Sequence, residues 1–238
     1  MITEDASTLD LKEARLRAIV RSFGTCIVAY SGGVDSALVL KIATDELGSR
    51  ALGITAHSAS LSGDEAESAR RCAEAMGARY EVIATDELAD DNYRSNPANR
   101  CYYCKTELYG TLSALARERA IACVADGFNL DDAGDYRPGR KAAREHGVRS
   151  PLAEAGLAKD DVRALAKKLG LGVWEKPALA CLSSRVPYGT PITAALLEQI
   201  DRAERAVLAQ GISECRVRHH GDIARIEVPI HALERAIA

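Results

Sequence analysis

The chain has 238 residues, 34 acidic against 31 basic for a net charge of −3, and 47% hydrophobic but only 5% aromatic side chains. This length and apolar content support a packed core without disulfide or metal staples, as one large domain or one domain with a smaller companion. The charge argues against a protein built to grip a polyanion, and no apolar run approaches the ~20 residues that cross a bilayer.

The first segment, "MITEDASTLDLKEARLRAIV", is acidic and amphipathic, unlike a signal peptide, so the expected compartment is the cytoplasm. "TCIVAY" (25–30) is a short apolar run followed by "SGGVDSALVLKIATDEL", which reads as a buried strand, a glycine turn and a helix. "ALGITA" (51–56) and "RYEVIA" (79–84) read as strands, with the helical spacing of "DEAESARRCAEAMG" (64–77) between them. A helix is expected from about Cys101 to about Ala120, then a fourth strand in "ACVADG" (122–127). Strands alternating with helices predict an α/β fold, a parallel sheet covered on both faces. Beyond Gly127 the chain turns polar, and amphipathic helices follow at 159–171 and 194–211. "ECRVRHHGDIARIEVP" alternates around a His-Gly-Asp turn and predicts a β-hairpin. A change of unit is expected between 150 and 178, giving an α/β unit over 1–155 and a smaller α+β unit over 156–238.

"SGGVDS" (31–36) sits between a strand and a helix. Gly32 and Gly33 let the backbone bend and approach a ligand, and the amides and dipole of the helix start favour an anion there. The string is neither the G-x-x-x-x-G-K-[ST] loop nor G-x-G-x-x-G. It resembles the PP-loop of ATP pyrophosphatases, which hold the pyrophosphate of ATP and transfer AMP to a substrate oxygen. The resemblance implies pyrophosphate binding by Ser31, Gly32, Gly33, Asp35 and Ser36 with Mg²⁺. It also places adenine at "TAHS", on Ala56 and Ser58.

"GFNLDDAGDYRPG" (127–139) follows the fourth strand, at the sheet edge where α/β proteins bind ligands. Asn129, Asp131 and Asp132 are candidates for ribose or Mg²⁺, and Arg137 for a phosphate, against the plainer reading of a solvated acidic loop. Ser184 and Arg185 beside Cys181 form a candidate anion clamp. Arg216 and Arg218 alternate on the hairpin and share a face, either as a phosphate site or as a charged outer surface.

Five strings in order, "SGGVDS", "NRCYYCK", "GFNLDD", "DYRPGRKAA" and "SSRVPYG", resemble the LarE family of ATP-dependent sulfur transferases from about residue 10 onward. The resemblance implies a cytoplasmic homo-oligomer, a hexamer in one form, that takes neither nucleic acid nor membrane as partner. Its small-molecule substrate is a pyridinium mononucleotide, whose carboxylate is adenylated and converted to a thiocarboxylate for the nickel-pincer nucleotide. It further implies a PP-loop domain over 1–155, a sulfur-transfer domain over 156–238, and a strand-bearing segment beyond "IARIEVPIHALERAIA". Some members sacrifice one cysteine; others hold a 4Fe–4S cluster on three cysteines and leave one iron open for sulfide.

Seven cysteines in a cytosolic chain are expected as thiols, metal ligands or catalysts. Cys26, Cys72 and Cys123 fall in apolar patterns and Cys215 on the hairpin, so these four are expected to be structural. C-x-x-C at a helix start puts Cys101 and Cys104 on one face, and soft thiolates suit iron–sulfur clusters, so the pair is expected to join Cys181 in one catalytic site. Sacrifice of Cys181, or zinc completed by His219, His220 or Cys215, stays open beside it, and Glu204 is a speculative Mg²⁺ ligand. Rival functions are a tRNA thiolase, an ammonia-using ligase that needs no cysteine, and a nucleotide-binding sensor.

Overall fold

The computed structural model describes residues 3–134, 138–177 and 180–237. The chain runs α1 (Thr3–Ser22), β1 (Cys26–Ala29), α2 (Val34–Leu47), β2 (Ala51–His57), α3 (Gly63–Ala75), β3 (Tyr80–Ala84), α4 (Asp91–Arg94), α5 (Arg100–Glu118) and β4 (Cys123–Ala125). It continues with α6 (Gly139–Glu145), α7 (Pro151–Glu154), α8 (Lys159–Lys168), α9 (Ala194–Leu208), β5 (Arg216–His220), β6 (Ile223–Glu227) and α10 (Leu233–Ile237). All four expected strands form one parallel sheet in the order β3-β2-β1-β4. The fold is α/β, as the alternation of elements predicts.

Strand side chains alternate between the two faces, and both faces are covered. Cys26 and Val28 of β1 pack with Leu16, Val20, Leu38, Ile42, Val162 and Leu165 from α1, α2 and α8. Ile27, between them, joins Leu52, Ile54, Tyr109, Leu112 and Ala143 under α5 and α6. That double burial explains why β1 and the start of β2 read as unbroken apolar runs; β3, at the sheet edge, is only half buried. A third cluster, Tyr93, Leu182, Val186, Ile192, Leu197 and Ile200, fastens the 182–192 loop between α4 and α9. The helix that follows residue 156 shares the first core, as do Leu171 and Val173. The boundary we propose between the two units therefore falls after Trp174 rather than at 155.

The C-terminal hairpin pairs Arg216 with Glu227 through His220 with Ile223, and its turn uses Gly221 at φ +65. Three short helices, α4, α7 and α10, escaped the sequence pattern, since four or five residues complete at most about one helical turn. Among the described residues no helix is long and apolar enough to cross a membrane.

The sheet reverses its winding between β1 and β4, and the loops leaving those two strands open a crevice at their carboxyl ends. Gly127, just after β4, lies directly against the backbone of the first turn of α2. A Cβ there would stand 2.7 Å from the Ser36 nitrogen and 3.0 Å from the Asp35 carbonyl carbon. Gly127→Ala is expected to destabilise the fold by about 1–3 kcal/mol through overpacking. Thermal unfolding measures it, and an unchanged melting temperature would contradict this contact.

Candidate functional site

Ser31 to Ser36 form a tight loop closed on its own hydroxyls. The Ser36 Oγ accepts from the Ser31 amide at 3.1 Å and donates to the Gly33 carbonyl at 3.1 Å. Gly32 adopts φ +75 and its missing side chain makes room for Ala69 of α3, 2.8 Å from where a Cβ would sit. Gly33 caps α2 without a side-chain hydrogen bond, so the first-turn amides stay available to an anion. Opposite, the Asn129 Nδ2 donates to the Asp35 Oδ1 at 3.0 Å, and Lys159 forms an ion pair with the other Asp35 oxygen. Asn129 in turn receives the amides of Asp131 and Asp132 at 3.0 and 3.3 Å, and the Lys159 amide donates to Asp131 at 2.7 Å. The expected phosphate-loop and acidic-loop residues are therefore one connected constellation. Arg137 lies outside the described residues.

Ala56 sits half-buried near the end of β2. Ser58, expected at adenine, donates its hydroxyl to Glu87 at 2.7 Å, and Ser60 donates to the same oxygen. Glu87 is buried, and its charge is felt at the Cys104 thiol.

Cys101 and Cys104 stand at the start of α5, about one turn apart, and Cys181 opens a single helical turn over Leu182–Arg185. Two tethers bring that turn to the nucleotide edge of the sheet. The Leu182 amide donates to the Ser60 carbonyl at 3.0 Å, and the Tyr93 and Ser183 hydroxyls are hydrogen-bonded at 2.7 Å. The three thiols feel one another. Burial pushes the Cys104 thiol up to about 12, with Glu87, Cys181 and Cys101 adding to it against Lys105. Burial raises Cys181 as well, followed by the charge on Cys101, with Arg100 opposing. Cys181 is nonetheless reached by solvent, as is Cys101. Among the described residues no group of three or more His, Cys, Asp or Glu side chains, the three cysteines included, is arranged to hold a metal ion. Cys215 points elsewhere, its thiol donating to the Glu204 carbonyl at 3.5 Å, a structural role as expected.

Two residues read as ligands have partners within the protein. Arg185 is buried, and its Nε and Nη2 grip both oxygens of Glu204 at 2.8 and 2.9 Å. Its Nη1 donates to the Cys181 carbonyl and the Ser184 hydroxyl, both at 3.1 Å. Nε, Nη1 and one N–H of Nη2 are thus engaged within the protein. Glu204, read as a Mg²⁺ ligand, is used up on Arg185 and on the Val217 amide at 2.9 Å. Their pairing ties the Cys181 turn and the hairpin to α9. On the hairpin, Arg218 donates to Glu227 at 2.7 Å and to the Ser184 carbonyl at 3.2 Å. Arg216 has no hydrogen bond or ion pair among the described residues and keeps its donors.

Lys159, Glu87 and Asp126 were not singled out by the sequence. Asp126 accepts from Tyr109 at 3.0 Å and from Ser150 at 2.7 Å, bracing the start of the acidic loop. A lysine at a helix start and two carboxylates in mixed segments carry no local signal, since their partners are distant in the chain. Glu204→Gln is expected to cost about 3–5 kcal/mol by leaving Arg185 buried without its counter-charge. Chemical denaturation measures this, and a normal stability combined with lost Mg²⁺ affinity would restore the ligand role.

A family model for asparagine synthase matches residues 11–98, the stretch that contains the phosphate loop. An uncharacterised protein of Synechocystis, slr1717, is 46% identical over 96% of this chain and 85% of its own. Pyridinium-3,5-bisthiocarboxylic acid mononucleotide synthase of Lactiplantibacillus plantarum is 42% identical over 94% of this chain and 81% of its own. A tRNA-specific 2-thiouridylase of Sphingopyxis alaskensis is 28% identical over 63% of this chain and 49% of its own. The loop at the switch point, the Cys181 turn fastened beside it, and this similarity across nearly the whole length place the chain in the LarE family of ATP-dependent sulfur transferases.

Proposed function

We propose that the chain adenylates a carboxylate of a pyridinium mononucleotide with ATP and then exchanges AMP for sulfur, leaving a thiocarboxylate. The observation that carries this is the hydrogen bond from Leu182 to Ser60, which seats the Cys181 turn on the loop beside the strand that opens the phosphate loop. The substrate class comes from the printed name of the Lactiplantibacillus relative.

In this reading the phosphates of ATP lie on Ser31, Gly32, Gly33 and Ser36, with the adenine beside Ala56 and Ser58 and the ribose near Asn129 and Asp132. Mg²⁺ enters with the triphosphate, since it keeps its waters and needs only one or two carboxylates, here Asp35. Lys159, paired with Asp35, is placed to neutralise phosphate charge. A substrate carboxylate oxygen attacks the α-phosphorus, forming an O–P bond as the bond to the bridging oxygen breaks. The charge on departing pyrophosphate meets the amides and dipole at the start of α2. Arg216 and Arg218, with Ser184 and Arg137, hold the substrate phosphate. Sulfur then attacks the acyl carbon, a C–S bond forms, and AMP leaves with the C–O electron pair. The protein supplies position and charge rather than a strong base.

For the sulfur source we propose a 4Fe–4S cluster on Cys101, Cys104 and Cys181. The mutual influence of the three thiols supports this reading, and Cys101, Cys104 and Cys181 would hold the cluster as soft thiolate ligands. When bound, the cluster supplies a sulfide at the iron that has no protein ligand. The alternative is that Cys181 itself attacks, loses its Cα proton and gives up its Cβ–S bond to become dehydroalanine. The tRNA thiolase reading has similarity over only 63% of the chain and a net charge of −3 against it. A cytoplasmic homo-oligomer, hexameric in one form, completes the proposal.

Anaerobically purified protein is expected to carry about four irons per chain and to lose them on Cys101→Ala, Cys104→Ala or Cys181→Ala. Iron-free protein that loses about 34 Da at Cys181 per turnover, the mass of H₂S, selects the sacrificial route. Full activity in the triple alanine variant removes sulfur transfer from these cysteines. Separately, Lys159→Ala is expected to slow pyrophosphate release by about tenfold or more while iron content is unchanged. An unaltered rate would take Lys159 out of the phosphate site.

A further inference from the structure

A second pair of cysteines lies at the opposite edge of the sheet from the nucleotide crevice. Cys26 opens β1, Cys123 opens β4, and the two are direct partners in the parallel register. Neighbouring strands stand about 4.8 Å apart, within the roughly 4.4–6.8 Å that separates the Cα atoms of a disulfide. Both side chains lie on one face of the sheet: Cys26 belongs to the core under α1 and α2, and Cys123 packs against that core. The two thiols are in hydrogen-bonding contact, and each also reaches the carbonyl of its next residue, at 3.4 and 3.6 Å.

The pair is open to solvent from one side. Cys26 has no exposed surface, but Cys123 is half-buried and lines a cavity of about 460 Å³. Arg117, His146 and Arg149 line it too, and no acid does among the described residues. Exposed Arg117 and Ala122 form part of its rim. A small reagent therefore meets the Cys123 sulfur first. The contact with Cys26 lowers the Cys123 thiol below its usual range, burial opposes this, and the charge of Arg149 adds to the lowering. The same contact, together with burial, raises Cys26 well above that range. The accessible sulfur is thus the better nucleophile, and the buried one keeps its proton.

We propose that Cys26 and Cys123 form a modification site for a small hydroperoxide, which oxidises them to a reversible disulfide between β1 and β4. With hydrogen peroxide, the Cys123 sulfur attacks one oxygen, an S–O bond forms and the O–O bond breaks. The departing hydroxide takes the Cys123 proton and leaves as water. The Cys26 sulfur then attacks the sulfenic acid, an S–S bond forms, the S–O bond breaks, and the hydroxyl leaves as water with the Cys26 proton. Two thiols lose two electrons, and peroxide is reduced to two waters. The bond ties together the strands that lead into the phosphate loop and the acidic loop. It involves none of Cys101, Cys104 and Cys181, and it does not depend on the function proposed above.

The test treats the full chain, purified anaerobically, with hydrogen peroxide, then unfolds, alkylates and digests it with trypsin for mass spectrometry. Cys26 and Cys123 fall in separate tryptic peptides, 22–41 and 120–140, each with a single cysteine. The two peptides are expected to appear joined, about 2 Da below their summed mass, and to separate with dithiothreitol. In Cys123→Ser, Cys26 is expected to be alkylated in full after peroxide. In Cys26→Ala, Cys123 is expected to go on to sulfinic acid, about 32 Da heavier, for want of a resolving thiol. Wild-type peptides that stay unlinked and fully alkylated overturn the proposal, as does Cys123 joined to Cys101, Cys104 or Cys181. A link that forms only when the chain is unfolded in urea before peroxide also overturns it.

Discussion

The grip of Arg185 on Glu204 is the contact on which the rest of the site depends. It is buried, two-pronged and formed between a loop and a helix 19 residues further along. Without it the segment rich in proline, serine and glycine around Cys181 would have little reason to hold one shape, because loops of that composition gain little from their own backbone. With it, the third donor group of Arg185 collects the Cys181 carbonyl and the Ser184 hydroxyl, and Glu204 collects the first strand residues of the hairpin. One ion pair thus sets the position of the thiol and of the strand that carries Arg216 and Arg218. The cost of burying two charges is offset because nearly every donor and acceptor involved is satisfied.

The α/β layer contributes a different kind of order. Its switch point puts the loops after β1 and β4 side by side, and the absence of a side chain at Gly127 lets the two backbones touch. Asp35, Asn129 and Lys159 then converge from three separate elements. A parallel sheet buried on both faces is rigid, so groups at its edge keep their spacing when a charged ligand arrives. Such preorganisation is what lets backbone amides and a helix dipole stabilise a leaving pyrophosphate.

Charges in the cleft fall into two sets. Arg185, Glu204 and Glu87 have their partners within the protein and act as supports. Arg216 has none among the described residues. Residue type alone does not separate the sets; an arginine is a scaffold or a hook according to whether an acid already faces it.

The sequence by itself determined the parallel sheet, the phosphate loop and the placing of Cys101 and Cys104 on one helix face. These follow from local rules: apolar runs bounded by turn residues, glycines where the backbone must bend sharply, and three-residue spacing at the start of a helix. Even the hairpin was legible, since alternation around "HGD" is a short-range signal. The short α4, α7 and α10 were not, being too brief to show a period. Tertiary structure alone decided which charges are spent. The pairing of Arg185 with Glu204 had no local sign, and Lys159 carried no signal until it met Asp35, 124 residues away. Contacts between residues so far apart depend on how whole layers pack, and no periodicity in the chain encodes them.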